Sequence, residues 1–216
     1  MRIHNAGKRF LLNTATLLTL INGILYFASA TEFVFYSIVI LSVLLFGFLV
    51  YFFRNPVREV FPDEHFIYSP ADGKVVGIGE IHEAEYFNDR RIKVTISMSL
   101  LDIHINRYPI GGIVKYYRYK DNNYLNSWSP TSSTHSERSS VVLQSNLGKE
   151  IMINQSSGYG RTVVCFAREG SLVQQGEELG VIKFGNIIEI ILPLDAAIKV
   201  EMGQKLVANS SVIAKF

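Results

Sequence analysis

The stretch Gly180-Val181-Ile182-Lys183-Phe184-Gly185-Asn186-Ile187-Ile188-Glu189-Ile190 decides how the rest of the chain is read. Two apolar runs flank a Gly-Asn dipeptide, and both of its residues tolerate positive φ. Read locally, this is two short strands around a turn. Working outward, similar runs recur between turn residues at 74–79, 92–98, 112–119, 140–144, 151–154, 162–166, 181–184, 187–192 and 197–200. No long stretch among them carries a helical period, which predicts a compact, mostly β domain with a sandwich or barrel-like body over residues 55–216.

Two segments echo one another. Gly170-Ser171-Leu172-Val173-Gln174-Gln175-Gly176-Glu177 and Val200-Glu201-Met202-Gly203-Gln204-Lys205-Leu206-Val207 both look like turn-plus-strand units of biotinyl/lipoyl-type sandwiches, and Ala71-Asp72-Gly73-Lys74-Val75-Val76 suits a matching first strand. A carrier domain needs an exposed lysine at a hairpin tip. Lys183 lies inside an apolar run, so the likeness extends to architecture and not to carrier function.

The first quarter differs in kind. Residues 33–53 run without a charge, long enough for a ~30 Å hydrocarbon core. Residues 10–30 are also uncharged but carry Asn13, Thr14, Thr16, Thr19 and Asn22, and Thr31-Glu32 leaves room only for a tight turn. A cleaved signal peptide fits poorly, because a second apolar run follows at once. The expectation is a two-helix membrane hairpin over residues 1–54. Arg2, Lys8 and Arg9 precede it, Arg54 and Arg58 follow it, and Glu32 lies between the helices. The positive-inside rule then puts both ends and the β domain on the cytoplasmic side of the cell (inner) membrane.

Totals narrow the function. The formal net charge of +2 among 216 residues gives no basis for nucleic-acid binding. The single Cys165 and five His exclude a disulfide framework and a Cys-rich zinc site, and no metal is expected. Cys165, within Thr162-Val163-Val164-Cys165-Phe166, reads as a structural thiol in a reducing setting.

Four segments carry chemistry: Tyr51-Phe52-Phe53-Arg54-Asn55-Pro56, Ser69-Pro70-Ala71-Asp72-Gly73-Lys74-Val75, Met98-Ser99-Leu100-Leu101-Asp102-Ile103-His104-Ile105-Asn106-Arg107-Tyr108-Pro109, and Ile182-Lys183-Phe184-Gly185-Asn186. In this order the chain resembles the short-form phosphatidylserine decarboxylase family. The likeness covers nearly the whole chain and takes in Glu85-Tyr86-Phe87-Asn88-Asp89-Arg90-Arg91 and the ending Ser211-Val212-Ile213-Ala214-Lys215.

The resemblance implies a zymogen that makes its own pyruvoyl group. In such enzymes a serine hydroxyl attacks the carbonyl of the preceding glycine and forms an ester. Elimination leaves dehydroalanine, which hydrolyses to a pyruvoyl cap. Its ketone forms an imine with the substrate amine and takes up the electrons left when carbon dioxide departs. The product from phosphatidylserine is phosphatidylethanolamine. By position the cleavage bond here is Gly185–Asn186. His104 matches the histidine expected to return a proton to the carbanion, and Asp72 the aspartate of self-cleavage. Arg107 stands where long forms have a second histidine, and a guanidinium suits a substrate phosphate or carboxylate equally. Without the resemblance, His104 reads as a turn histidine beside Asp102, and Asp72-Gly73 as a simple turn.

Asn186 stands where the family has its serine, and a carboxamide has no hydroxyl to attack Gly185. Further departures are Ser136-Glu137-Arg138, Gln155-Ser156-Ser157-Gly158-Tyr159-Gly160-Arg161-Thr162, and Tyr119-Lys120-Asp121-Asn122-Asn123-Tyr124. Two functions follow as expectations. One is an active decarboxylase of phosphatidylserine. The other is a catalytically inactive relative that binds an anionic phospholipid or an active paralogue. A homo-oligomer is a further partner expectation, and a membrane-tethered scaffold is a weaker third reading.

Overall fold

The structure, a computed structural model, describes residues 2–3, 5–28, 31–52, 54–55, 58, 61–99, 102–120, 137–157, 163–182 and 187–216. The chain divides into two units, 1–57 and 58–216. Strand β1 (Arg2–Ile3) and strand β2 (Arg54–Asn55) form an antiparallel pair within the first unit.

Between them lie α1 (Asn5–Phe27) and α2 (Glu32–Phe52). At 1.5 Å per residue each is about 30–35 Å long, and both are long and apolar enough to cross a membrane. Helix α1 starts before the apolar run expected at 10–30, since Lys8 and Arg9 are themselves good helix formers. The polar residues within it satisfy themselves. Thr14, Thr16 and Thr19 donate to the carbonyls of Phe10, Leu12 and Ala15, four residues back. Asn22 donates to Leu18 O and also across to Ser42 Oγ on α2, at 3.1 Å. Groups bonded in this way cost less in an apolar medium than bare ones.

The described residues of the second unit form strands and turns. Its strands are β3 (Phe66–Tyr68), β4 (Gly73–Glu83), β5 (Asp89–Ser97), β6 (Ile105–Arg107), β7 (Gly112–Lys120), β8 (Arg138–Gln144), β9 (Glu150–Ser156), β10 (Val163–Cys165), β11 (Leu172–Val173), β12 (Glu178–Ile182), β13 (Ile187–Leu192), β14 (Ala197–Ile198), β15 (Lys205–Leu206) and β16 (Val212–Lys215). The fold is mostly β, as the periodicity predicts. A curled, half-barrel sheet of eight antiparallel strands runs β11-β7-β8-β9-β13-β5-β4-β15. Two three-stranded sheets, β10-β12-β6 and β14-β16-β3, accompany it.

Alternation explains the core. Val94 and Ile96, Val141 and Leu143, Ile151 and Ile153, and Ile188, Ile190 and Leu192 project to one face and are all fully buried in one cluster. Each such side chain contributes roughly 1.5–3 kcal/mol of transfer free energy. Val142, Met152 and Ile191 point to the opposite face and are buried too, with Ile81, Phe87 and Tyr116 packed against them. Phe87 belongs to the β4–β5 turn, where the Glu83 carboxylate accepts the N–H groups of Glu85, Tyr86 and Phe87. The segment 85–91 is therefore a folded cap, with Arg91 over the Phe87 ring at 3.7 Å.

The two echoing segments lie at opposite edges of the eight-stranded sheet, with strand and glycine in opposite order. Each supplies an outermost strand of the eight-stranded sheet, β11 at one edge and β15 at the other. Each also turns through a glycine at positive φ, Gly176 at 85° and Gly203 at 82°, where a side chain would be strained.

One local expectation is corrected. β12 and β13 do not pair as a hairpin. β12 pairs with β10 and β6, while β13 pairs with β9 and β5. The connection at 183–186, which lies outside the described residues, links two different sheets. A strand–turn–strand pattern specifies the strands but not their partners.

Candidate functional site

Gly185 and Asn186 lie within that connection, so their own geometry is outside the described residues. Both shoulders are described. On one side Ile187 pairs with Ser97 of β5 and Ser156 of β9. On the other, the Ile182 N–H donates to the His104 carbonyl at 3.1 Å, and Val181 pairs with Ile105. His104 therefore lies beside the end of β12, four residues from position 186, and only 6% of it is exposed. Asp102 is engaged at the preceding turn, where its Oδ2 accepts the Ser99 N–H at 2.7 Å.

β12 reaches β6 and β10 closely because Gly180 has no side chain. A Cβ there would lie 2.2 Å from the Val164 carbonyl oxygen of β10. Opposite Gly180 is Asn106, fully buried. Gln155 Nε2 donates to Asn106 Oδ1 at 2.8 Å, and Ser139 Oγ donates to Gln155 Oε1 at 2.7 Å. This chain of buried polar groups ties β6 to β9 and β8. Glu137 adds a further tie, because its Oε2 accepts the Val163 N–H at 2.9 Å at the start of β10.

Arg107 is the next residue on β6. Its Nη1 donates to the Gly176 carbonyl at 3.0 Å, clasping the turn before β12. Burial lowers the guanidinium below its usual range. Glu178 opposes that shift, Arg58 adds to it and Asp72 opposes it again. The Arg107 N–H donates to the Pro70 carbonyl at 2.8 Å, and so fixes the Ser69–Asp72 turn against β6. Asp72 itself accepts from Arg58 and from the Ala208 N–H.

The predicted residues are thus gathered around one short strand. His104 enters β6, Arg107 ends it, and the turn carrying Asp72 rests on it. β6 in turn pairs with the strand that leads to position 186. Backbone bonds thus bring the segments that carry a carboxylate, an imidazole and a guanidinium to one short strand. Cys165 is a half-buried thiol. Burial raises its pKa against weaker lowering by the Ala167 backbone and Ser139, which keeps it protonated and inert.

Comparison with known proteins bears on the same residues. The family model for phosphatidylserine decarboxylase matches residues 45–214. The chain belongs to the phosphatidylserine decarboxylase family. The phosphatidylserine decarboxylase proenzyme of Cytophaga hutchinsonii is 39% identical over 218 residues, covering 100% of this chain and 99% of the relative. The proenzyme of Bacteroides fragilis is 40% identical, covering 100% and 95%, and that of Amoebophilus asiaticus 39%, covering 100% and 96%. The family span includes Asp72, His104, Arg107 and position 186.

Two elements of the site escape a sequence reading. Arg58 lies next to a family-like block, but no local pattern links it to a carboxylate fourteen residues away. Asn106 and Gln155 are polar residues inside short β runs, and only tertiary pairing reveals that they face each other.

Proposed function

We propose that this chain is a membrane-anchored member of the phosphatidylserine decarboxylase family that remains a single uncut polypeptide. It holds an anionic phospholipid such as phosphatidylserine, alone or beside an active paralogue. Its domain lies on the cytoplasmic face of the membrane, reached through α1 and α2. One observation carries this reading: the residue after Gly185 is Asn186. The family's pyruvoyl group is built from a side-chain hydroxyl at that position. A carboxamide has none, so the chain does not fit the group. Asparagine cyclisation cuts after its own residue and leaves a succinimide, which is not a ketone.

A second reading is an active decarboxylase producing phosphatidylethanolamine. What favours it is the retention of Asp72, His104 and Arg107 around β6. It requires a ketone from some other source.

Intact mass of the protein isolated from its own membrane separates the two. The expected result is one uncut chain of 24.4 kDa. A large piece ending at Gly185, with a pyruvoyl-capped small piece, would overturn the proposal. Asn186→Ser is the complementary variant. Cleavage in that variant means that only the nucleophile was lost. An uncut variant means that the apparatus around it has decayed as well.

A further inference from the structure

Lys74 and Lys205 stand directly opposite each other where β15 pairs with β4, at one edge of the eight-stranded sheet. Both side chains are exposed, and the residue across from Lys74 on its other side is the neutral Ser97. Two ammonium groups facing across a ladder repel one another. Neither lysine has an ion-pair partner among the described residues. The nearby Asp72 carboxylate is already clasped by Arg58. Exposed Glu201 opens the turn before β15, so one carboxylate accompanies two lysines and the patch stays positive.

Apolar side chains surround the pair. On β15, Leu206 enters the core, and alternation sends Lys205 and Val207 outward together. On β4, Val75 enters the core while Lys74 and Val76 stay outside. Met202 sits in the turn that leads into β15, and the Lys74 stem runs beside Gly203 of the same turn. Met202 is 61% exposed, Val76 46% and Val207 44%.

Lysines at a sheet edge also deter pairing with other strands. That role needs neither a second lysine facing the first nor a rim of exposed Met and Val. Ammonium heads among apolar side chains match the headgroup layer of an anionic bilayer, where the charges meet phosphates and the apolar groups enter the acyl boundary. Each lysine near such a surface is worth about fivefold in occupancy. A domain tethered to membrane helices meets the surface at high effective concentration, so a modest patch suffices.

We infer that the β4–β15 edge is a docking face for an anionic lipid surface, formed by Lys74, Lys205, Val76, Met202 and Val207. The inference rests on the membrane anchoring proposed above and needs no pyruvoyl chemistry. None of the five residues belongs to the set gathered around β6.

The test uses the full chain in lipid nanodiscs, either all phosphatidylcholine or with roughly a third phosphatidylglycerol. Phosphatidylglycerol carries the charge without an amine, which keeps this contact apart from any hold on phosphatidylserine. Met202 is the one exposed methionine among the described residues, so its oxidation by peroxide reports on the face. Acetylation of Lys74 and Lys205 reports on the charges, and the exposed Lys115 is the control. Anionic discs should slow all three reactions at the face by at least threefold relative to neutral discs and leave Lys115 unchanged. About 1 M salt should remove the protection, because the Debye length there is about 3 Å. Neutral discs with added inorganic phosphate should give none. In Lys74→Gln/Lys205→Gln, Met202 should oxidise in anionic discs as fast as in neutral ones. Equal rates for the parent in the two discs overturn the inference, as does equal protection by free phosphate or slowing that extends to Lys115. A double variant that aggregates yet keeps Met202 protected makes the lysines edge guards, and the inference falls. A chain that co-elutes with neither disc overturns the anchoring together with the inference, whereas one that co-elutes but stays unprotected overturns the inference alone.

Discussion

The two strands on either side of position 186 are both buried but are paired differently. β13 is central in the eight-stranded sheet, registered along its length with β5 and along most of it with β9. Ile188, Ile190 and Leu192 enter the core, while Glu189 on the other face pairs with Lys93 at 3.0 Å. β12 is shorter, shifts register between Glu178 and Gly180, and depends on the missing side chain of Gly180. β13 is held by burial along a full ladder, whereas β12, also buried through Leu179 and Ile182, needs the close fit at Gly180 as well. The piece beyond residue 185 also contributes β15, paired to β4, and β16, paired to β3. A break at the joint would leave that piece inserted in sheets built by earlier residues. The last strands are therefore held in sheets that earlier residues build.

The comparison can be broken at either strand. Ile190→Ala should cost most, about 4 kcal/mol, because it leaves a cavity in the buried centre. Denaturant unfolding of the full chain in detergent measures it, and a loss below that of a surface substitution would mean β13 is not the anchor. Gly180→Ala comes next, at about 3 kcal/mol, since the new methyl group must push the Val164 carbonyl aside. Its signature should be local. Exchange should rise at the amides of β10 and β12 before it rises in β13. Uniform loosening of both sheets would erase the distinction between them.

Much of the β architecture is legible from periodicity. Each of the nine predicted runs overlaps a strand, and the run at 187–192 coincides with β13. Half-buried sheets impose an alternation that a sequence cannot hide. β6 escapes because Asn106, in its middle, is buried through hydrogen bonds and not through apolar character. β11 and β15 are marked only by the internal echo, because two-residue strands have no period of their own. The hairpin reading of 180–190 fails for a different reason: each run matches a strand, but sheet membership is fixed by distant partners. At the site, Asp72, His104 and Arg107 stand out through family likeness, whereas Arg58 becomes visible only when its clasp on Asp72 is seen. Asn186 needs no fold to be understood, because the absence of a hydroxyl is written in the residue.

A smaller effect probes the close-fit side. Gln155→Leu keeps the volume but leaves Asn106 Oδ1 and the Ser139 hydroxyl without their shared partner. A loss of about 2 kcal/mol is expected, the cost of stranding buried polar groups. Ser139→Ala combined with Gln155→Leu should lose less than the sum of the two single changes, because they share one bond. Full additivity would mean that the polar chain does not act as a unit.

The smallest effect lies on the far face of the eight-stranded sheet, where Glu83 caps the β4–β5 turn. Burial raises its pKa, but the N–H groups of Phe87, Tyr86 and Glu85, with the charge of Arg138, more than offset this and leave it below the ordinary 4.5. The folded state therefore binds the Glu83 proton less readily than the unfolded chain does. The carboxylate's stabilisation is complete above the unfolded value and fades as pH falls through the folded one. Glu83→Gln keeps the shape and removes the charge. It should cost about 1 kcal/mol near neutral pH, the usual worth of a charge-assisted turn cap. The gap from the parent should close in acid below the ordinary carboxylate range. Unfolding curves of parent and variant from neutral to acid pH measure it. A gap that persists unchanged into acid would show that the loss comes from the changed shape of the side chain and not from the Glu83 charge.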